Sequence, residues 1–411
     1  MRRSTRFITE KRQRRESCIF LTGGTGFLGS HIAVELMRRG YSVILLCRPN
    51  HKLSAEERVR KILQWHNFTP DGRMDVIEGR IAEPRLGLSE ETYTHLLGRI
   101  DEIFHCTGHT SFSKRDTGQL KKINVRATLN VLDLAVESGC YFFHHMSTAY
   151  VAGQKQGVCR EEWEERDTFC NAYEQTKYEA EGHVLKKCKE AGIRLNIYRP
   201  SIVFGHSKTG RSMIFNAFYF PIRLGHYLKA LYEKDMEENE GRNTKHMGIS
   251  RAEDGRVHLP VRLIKTERSS FNLIPVDFLV AGCMAIMEDS LEGGIFHLVS
   301  RKPCTIDTIT RYAEAMLGIT GIWAQDNSVF DEEPKNALEK MVASYISLYR
   351  PYFTDERLFD DEKAGEILQR HHIICPELDD ELFQKCIGYG IHVEWGKRLF
   401  NDGRMKADTD G

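Results

Sequence analysis

The sequence predicts an α/β protein built around a doubly wound parallel sheet, and two observations lead to that fold class. Short apolar runs alternate with amphipathic helical stretches over residues 18–200, which is typical of parallel strands covered by helices on both faces. A glycine-rich turn joins the first apolar run to the first helical stretch. A smaller, mainly helical part is expected to cap the sheet, because the alternation weakens after residue 205.

The individual elements follow from the periodicity of the apolar residues. Strands are predicted at 18–22, 42–47, 74–78, 102–106, 141–146 and 194–199. Helices are predicted at 28–39, 54–66, 89–98, 120–138 and 172–191. In a sheet of this kind a ligand binds outside the carboxyl ends of the strands, so the residues after each strand are the first candidates for a site.

The turn after the first strand reads LTGGTGFLG, in which Gly23, Gly26 and Gly29 stand three residues apart. Glycine permits a tight turn and a close approach of the backbone to a pyrophosphate. The helix that follows offers free N–H groups and a favourable dipole to the phosphates. Because the motif lies between a predicted strand and a predicted helix, it indicates a Rossmann-type, dinucleotide-binding core.

The second strand ends in Cys47 and Arg48. An acidic residue at this point would bind the ribose hydroxyls of NAD, whereas a cation suits the 2′-phosphate of NADP. Arg48 therefore favours NADP(H) as the cofactor. The alternative is a surface arginine that lies over the edge of the sheet.

Three side chains predict carbonyl chemistry near the ends of the later strands. Thr148 follows the fifth strand, and Tyr173 and Lys177 lie four residues apart, on one face of a predicted helix. A phenol has a pKa near 10, and a neighbouring ammonium is expected to lower it. Thr148, preferred over Ser147, would hold a carbonyl oxygen while Tyr173 supplies a proton.

Other polar residues leave alternatives open. Asn124 is either a structural polar residue of its helix or part of a proton relay. Thr107 and His109 follow the fourth strand and would line the cofactor groove. Histidines cluster near strand ends, but no carboxylate has the spacing of a metal ligand, so no metal site is predicted.

The length of 411 residues suggests one large α/β unit with a companion part. The predicted parts are a basic flexible tail at 1–16, a dinucleotide-binding domain at 17–205, a substrate-binding region at 206–330 that is interleaved with that core, and a mainly helical extension at 331–411. Within the third part, the charged residues 233–257 are expected to form an exposed insertion. Strand-like and helical pieces are predicted at 258–266 and 277–288.

Composition narrows the class of protein. Lys plus Arg and Asp plus Glu are balanced at 58 each, so no overall charge predicts a nucleic-acid partner. The 11 cysteines show no metal-binding spacing and suit free thiols in a reducing compartment, which predicts a cytoplasmic protein.

No apolar run reaches the roughly 18 residues of a membrane span. The basic tail is expected to be solvated, with an anionic surface or organelle targeting as alternatives. The oligomeric state stays open.

Several segments, taken in order, resemble the extended and atypical branches of the short-chain dehydrogenase/reductase superfamily. The resemblance is most specific to the thioester-reductase group, which includes fatty acyl-CoA reductases and the terminal reductase domains of carboxylic acid reductases and peptide synthetases. The matching segments are FLTGGTGFLGSHIAVELM, VILLCR, EPRLGLSEE, FHCTGHTSFS, NVRATLNVLDLA, MSTAYVAG, YEQTK, YRPSIVFG and FNLIPVD. They run from about Cys18 to Ser300.

The resemblance implies reduction of an acyl thioester by NADPH to an aldehyde or an alcohol, with Thr148, Tyr173 and Lys177 as catalytic residues. The motifs and the resemblance together predict these residues at the cofactor: Gly23, Thr25, Gly26, Phe27, Leu28, Gly29, Arg48, Thr107, Gly108, Tyr173, Lys177, Arg199, Pro200, Ser201, Ile202 and Val203. The sequence departs from the family pattern at Arg80, where an acidic residue is usual. It shows no adenylation or carrier domain, so the thioester is expected on coenzyme A or on a separate acyl carrier protein.

Other functions remain open on the sequence alone. The same catalytic set serves a reductase of free ketones or aldehydes. A sugar-nucleotide epimerase or dehydratase would hold NAD, which Arg48 disfavours, and a non-catalytic scaffold would not need both Tyr173 and Lys177. The apolar stretch at 213–232 is either the lining of an acyl-chain channel or ordinary core packing.

Overall fold

The computed structural model describes residues 17–50 and 52–399. The predicted basic tail at 1–16 therefore lies outside the described residues. The strands are β1 (Cys18–Thr22), β2 (Ser42–Cys47), β3 (Met74–Glu78), β4 (Glu102–His105), β5 (Phe142–Met146), β6 (Val158–Cys159), β7 (Arg194–Pro200), β8 (Ile202–Phe204), β9 (Ser250–Arg251), β10 (Val257–Lys265), β11 (Ser270–Phe271), β12 (Leu273–Pro275), β13 (Gly294–Leu298), β14 (Cys304–Thr305), β15 (Ile319–Asp326) and β16 (Leu358–Phe359).

The helices alternate with these strands in the first half of the chain and dominate its end. They are α1 (Phe27–Arg38), α2 (Ala55–Trp65), α3 (Glu90–Leu97), α4 (Thr117–Leu120), α5 (Ala127–Ser138), α6 (Ala172–Ala191), α7 (Tyr219–Glu238), α8 (Arg242–His246), α9 (Val276–Asp289), α10 (Ile306–Leu317), α11 (Ala337–Ile346), α12 (Arg350–Phe353), α13 (Glu362–Arg370) and α14 (Asp380–His392).

Seven strands form one parallel sheet in the order β13-β7-β5-β4-β1-β2-β3. All six pairings are parallel. The strand order reverses beside β1, and an order that reverses there leaves a crevice at the carboxyl ends of the central strands. The predicted doubly wound α/β fold is confirmed.

The sheet takes its last strand from far along the chain. β13 pairs with β7 after more than ninety intervening residues, and α9 and α13 pack their apolar side chains into the same core as α1. Glu161 holds α13 to the sheet, because its carboxylate accepts bonds from the N–H groups of His297 (2.7 Å) and Ala364 (3.1 Å). The capping part and the core are thus interleaved in sequence.

The cap has its own apolar core, between α7, α10, α11, α14 and a three-stranded sheet of order β15-β10-β9. The predicted exposed insertion at 233–257 is only partly right. Its acidic side chains are mostly exposed, but Asp235 is buried and its Oδ2 accepts bonds from the N–H groups of Asn243 and Thr244, both at 3.0 Å. These bonds fold the segment into the end of α7 and the short helix α8.

The helix predicted at 120–138 begins three residues earlier and contains a π-helical stretch, Lys121–Arg126, between α4 and α5. Such a stretch adds a residue to the helical turn and often lies at a functional site. Here it carries Asn124. Among the described residues, no helix is long and apolar enough to cross a membrane.

Candidate active site

The glycine-rich turn brings three chain segments into close contact. Gly23 has a φ of 77°, and a Cβ there would stand 2.8 Å from the backbone nitrogen of Thr107. A Cβ on Gly29 would stand 2.1 Å from the carbonyl oxygen of Gly23. Side chains are therefore excluded at both positions, which keeps α1 against the turn.

The N-terminus of α1 has the form of an anion site. Gly26 is the N-cap residue and supplies no side-chain acceptor, so the first N–H groups of α1 are left for an external acceptor. Gly23, Gly26, Phe27, Leu28 and Gly29 all line one continuous cavity. This bare cradle fits the pyrophosphate of a dinucleotide.

Two arginines meet at the end of β2: Arg48 follows the strand, and Arg58 reaches it from α2. Arg48 is exposed, and its carbonyl oxygen accepts a bond of 2.6 Å from Nη1 of the buried Arg58. Nε of Arg58 has no hydrogen-bond partner within the described ranges. Burial raises the pKa of Cys47, while Arg58 and a hydrogen bond with Thr25 act against that shift. Arg58, Thr25 and Arg48 thus surround one strand end.

Arg58 was not predicted from the sequence. The signal was available, because Arg58 falls among the positions of α2 that face the core, with Ala55, Val59 and Ile62. A lone cation in the apolar stripe of an amphipathic helix indicates a buried role rather than a solvated one.

The predicted catalytic residues meet at the carboxyl end of β5. Thr148 is buried, and its Oγ1 accepts a bond from the N–H of Tyr150 (3.3 Å). Asn171 caps α6 by accepting from the N–H of Glu174 (3.0 Å), which places Tyr173 in the first turn of the helix. The side chains of Thr148 and Thr110 lie close to the Tyr173 phenol and act to lower its pKa.

Lys177 lies one helical turn beyond Tyr173. Its Nζ donates a 2.6 Å hydrogen bond to the carbonyl oxygen of Met146, and burial lowers the pKa of Lys177 to about 8. The pKa of this buried ammonium therefore lies close to neutral pH.

The expected lowering of the Tyr173 pKa is not what the structure shows. Burial raises the pKa of Tyr173 to about 12, and the hydroxyls of Thr110 and Thr148 act in the opposite direction. The prediction was wrong because it counted the ammonium one turn away, which is not among the groups that shift this pKa, and omitted desolvation of the phenolate, which is the largest effect. A phenol kept protonated is a proton donor rather than a base.

Asn124 holds the loop after β4 against α6, the helix that carries Tyr173 and Lys177. Its Oδ1 accepts from the N–H of His109 (2.8 Å), and its Nδ2 donates to the carbonyl of His109 (3.0 Å) and to Oγ1 of Thr176 (3.0 Å). These bonds support the structural alternative for Asn124. Gly108 lies beside it, where an added Cβ would stand 4.0 Å from Nζ of Lys177.

The side chains at the end of β7 do not all face the cavity. Pro200, Ser201, Ile202 and Val203 line the cavity. Arg199 instead pairs with Glu181 through bonds of 3.0 and 2.7 Å and donates to the carbonyl of Glu162 (3.0 Å). The side chain of Arg199 thus lies outside the cavity wall, and the place of this residue beside the cofactor stays a prediction.

Three other predicted cofactor residues lie outside the cavity wall of the described chain: Thr25, Arg48 and Thr107. The backbone N–H of Thr107 donates to Oγ1 of Thr22 (3.3 Å). Thr25 and Arg48 belong to the end of β2, which Arg58 also contacts.

Two buried serines fit a bound cofactor. Ser147 and Ser201 line the cavity and are only 4% and 5% exposed, yet neither hydroxyl has a hydrogen-bond partner in the part of the chain that the structure describes. Leaving a buried hydroxyl without a partner costs about 1–3 kcal/mol. A polar group of a ligand between β5 and β8 would relieve that cost.

The cavity continues from the catalytic residues into the cap and has a volume of about 1240 Å³. The apolar stretch at 213–232 supplies part of its wall, including Met213, Phe215, Phe218, Ile222 and Leu228. The stretch therefore both packs in the core of the cap and lines a channel. No group of His, Cys, Asp and Glu that could hold a metal ion occurs among the described residues.

The family comparison decides what kind of protein this site belongs to. A family profile described as male sterility protein matches residues 21–283. The chain belongs to this NAD-binding family. The match runs from the glycine turn through Thr148, Tyr173 and Lys177 to the first half of α9, and it confirms the extended short-chain dehydrogenase/reductase of thioester-reductase type that the sequence resembles. A nicotinamide dinucleotide is accordingly the cofactor class of this member.

Known relatives include much longer proteins. A component of the linear gramicidin synthase of Brevibacillus parabrevis is 24% identical over 388 residues, which is 90% of this chain and 7% of that protein. The large subunit of L-2-aminoadipate reductase from Eremothecium gossypii is 30% identical over 224 residues, 47% of this chain and 16% of that subunit. The chain thus spans a small fraction of these relatives.

A solved structure shares the fold. The terminal R domain from the myxalamid PKS-NRPS biosynthetic pathway superposes with a TM-score of 0.70 at 22% identity, covering 92% of both chains. At this identity the similarity supports the fold alone.

Proposed function

We propose that this male sterility family member is an NADPH-dependent reductase of acyl thioesters. One observation carries the proposal: a large cavity with apolar walls leads from the cap to Thr148, Tyr173 and Lys177. Walls of this kind suit an acyl chain better than a sugar, whose hydroxyls need hydrogen-bond partners.

The residues of the site support a proton-donor mechanism. The cofactor, when bound, supplies a hydride to the carbonyl carbon. The hydroxyls of Thr148 and Tyr173 hold the carbonyl oxygen and stabilise the charge that develops on it. Tyr173 gives this oxygen a proton, and Lys177 stabilises the resulting phenolate. The hydroxyl then returns its proton to the phenolate as the carbon–sulfur bond breaks, the departing sulfur takes up a proton from solvent, and an aldehyde and a thiol leave.

The first experiment removes the proton donor. Tyr173→Phe should lower kcat by at least about a hundredfold, because general acid catalysis contributes on that order, while the Kd for NADPH stays unchanged. Stopped-flow absorbance and fluorescence titration measure the two quantities. Tyr345→Phe, at an exposed position, is the control. Retained turnover in Tyr173→Phe would refute the assigned role.

A substrate panel separates thioester reduction from the main alternative. Acyl-coenzyme A, acyl-carrier and N-acetylcysteamine thioesters of increasing chain length are compared with free ketones and aldehydes. We expect thioesters with long chains to give the highest kcat/KM. Turnover of free carbonyls alone would favour the ketone/aldehyde reductase, and isomerisation of a sugar nucleotide without net NADPH consumption would favour an epimerase.

The preference for NADPH is assigned to Arg48 together with Arg58. Charge-assisted bonds to a phosphate contribute about 1.5–3 kcal/mol each, so Arg58→Met should weaken NADPH binding by roughly tenfold or more and leave NADH binding within about twofold. Isothermal titration with both cofactors measures this. Arg60→Met, on the exposed face of α2, is the matched control. Equal losses for NADPH and NADH would reject a phosphate contact.

The proposal also covers the carrier that delivers the substrate and the compartment of the protein. The thioester would arrive on coenzyme A or on an acyl carrier protein. All 11 cysteines are free, which supports a reducing compartment such as the cytoplasm.

A further inference from the structure

A group of exposed cations follows the loop after β4. Lys114, Arg115, Lys121, Lys122 and Arg126 are all exposed, and we call them the basic segment. Residues 106–130 contain a single carboxylate, Asp116, which accepts a hydrogen bond from Ser111. Within the described ranges none of the five cations pairs with a carboxylate. Because the whole chain balances its charges at 58 each, this is a local excess.

The basic segment begins close to the catalytic phenol. Thr110 lies beside the Tyr173 phenol, and Thr110, Ser111, Phe112 and Asp116 line the cavity. Arg115 is five positions after Thr110 in the sequence, a stretch that spans at most roughly 18 Å when extended. The backbone of Arg115 therefore lies within roughly 18 Å of Thr110, which is beside the phenol.

A further cation stands across a row of aromatic rings. Phe112 packs edge-on against Tyr349 at 5.3 Å, and Tyr349 stacks on Phe220 at 5.2 Å between centroids. The guanidinium of Arg223 lies 5.6 Å from the Phe220 ring and lines the cavity. The row of rings thus connects Phe112, close in sequence to the basic segment, with Arg223 in the cavity wall.

We propose that the basic segment and Arg223 bind the phosphate of a phosphorylated pantetheine thioester while the acyl chain occupies the apolar cavity. This inference rests on the proposed thioester reduction. The pantetheine arm is uncharged along its length and carries its phosphate at the end opposite the sulfur. Lys and Arg recognise phosphate through charge-assisted hydrogen bonds, and an uncompensated positive rim attracts it from solution.

The test compares thioesters of one acyl chain that differ only in the phosphate. The substrates are the coenzyme A, phosphopantetheine and N-acetylcysteamine thioesters, and the last has no phosphate. The variant is Lys114→Gln/Arg115→Gln/Lys121→Gln/Lys122→Gln. The control removes the same number of charges elsewhere, at exposed positions, as Lys186→Gln/Lys189→Gln/Arg242→Gln/Lys245→Gln. Thermal unfolding and the Kd for NADPH establish that both variants are folded.

We expect the first variant to raise KM for both phosphorylated substrates by about tenfold at low ionic strength, since several weak surface charges act together. Its KM for the N-acetylcysteamine thioester and its kcat should stay within about twofold of the parent, and high salt should erase the difference. The control variant should match the parent on all three substrates.

Three results would overturn the assignment. They are an equal rise in KM for all three substrates, no rise for any of them, and a rise for the coenzyme A thioester alone, which would place the cations at its adenosine phosphates. Each can occur while the parent protein still reduces the N-acetylcysteamine thioester, so the proposed function would stand. Failure of the parent to reduce any thioester would reject the proposed function itself.

Discussion

The buried charge of Lys177, which serves the proposed chemistry, lowers the stability of the folded protein. Its ammonium is buried and donates to the Met146 carbonyl, yet burial lowers its pKa from 10.5 to about 8. A base whose pKa is lower in the folded state holds its proton less tightly there, so the charged form opposes folding. Below about pH 8 the full cost is present, and it fades as the pH rises to 10.5.

Replacing this lysine should therefore stabilise the protein while abolishing its activity. We expect Lys177→Met to raise the free energy of unfolding at pH 7 by on the order of 2 kcal/mol. The gain should shrink as the pH approaches 10.5, because the parent is then relieved of its charge. Urea denaturation at both pH values measures this. Lys186→Met, at an exposed position, should show no such dependence; a destabilised Lys177→Met at pH 7 would contradict the argument.

At the scale of elements, the catalytic helix α6 is held by a segment from much later in the chain. The hydroxyl of Tyr352 donates to Oε1 of Glu174 (2.7 Å) and accepts from Nδ2 of Asn171 (2.7 Å). Cys170 donates its N–H to the other oxygen of Glu174 (2.9 Å). Arg357 lies 3.7 Å from Glu174, and both side chains are almost fully buried. The first turn of α6, which carries Tyr173, is thereby fixed to the cap.

Removing one hydroxyl from this network should affect catalysis more than cofactor binding. Tyr352→Phe keeps the ring stacked on Phe112 but leaves Glu174 and Asn171 each short of a partner. We expect the free energy of unfolding to fall by about 1–2 kcal/mol and kcat to fall roughly three- to tenfold.

Kinetics with a saturating thioester, NADPH titration and thermal unfolding follow the three effects of Tyr352→Phe. Tyr345→Phe, a change at an exposed tyrosine, controls for loss of a phenol. A normal kcat combined with lower stability would limit the network to a structural role.

At the scale of the whole molecule, the cap determines how much space the substrate has. The residues of α7 that line the cavity extend from Pro221 to Leu228, which is roughly 10 Å along a helix axis. Gly225 lies within this stretch, and a Cβ there would meet Ile319 at 3.6 Å and Leu317 at 3.7 Å. These are ordinary contacts, so a methyl group fits while a larger side chain must enter the cavity.

Gly225 is accordingly expected to limit the length of the acyl chain. Gly225→Leu should lower kcat/KM for the longest thioesters by at least about tenfold and leave short ones within about twofold, because a side chain of that size displaces part of the substrate's buried apolar surface. Gly225→Ala is the matched control and should resemble the parent. A uniform loss over all chain lengths would show that the cap is disturbed and would contradict a length-specific role.

The sequence alone was sufficient for the parallel sheet, the glycine cradle and the family. These features depend on local patterns: apolar periodicity, and glycines at a turn where a Cβ would meet backbone within 3 Å. The spacing of Tyr173 and Lys177 likewise follows from the pitch of one helix.

Only the tertiary structure decided which way side chains point and what surrounds them. Arg199 turns to Glu181 instead of the cavity, and Arg58 lies behind Arg48, because both depend on contacts between distant segments. The pKa of Tyr173 rises rather than falls, since desolvation is set by everything packed around the phenol and not by the residue four positions away. Sequence spacing determines which groups can meet; burial determines how they are ionised.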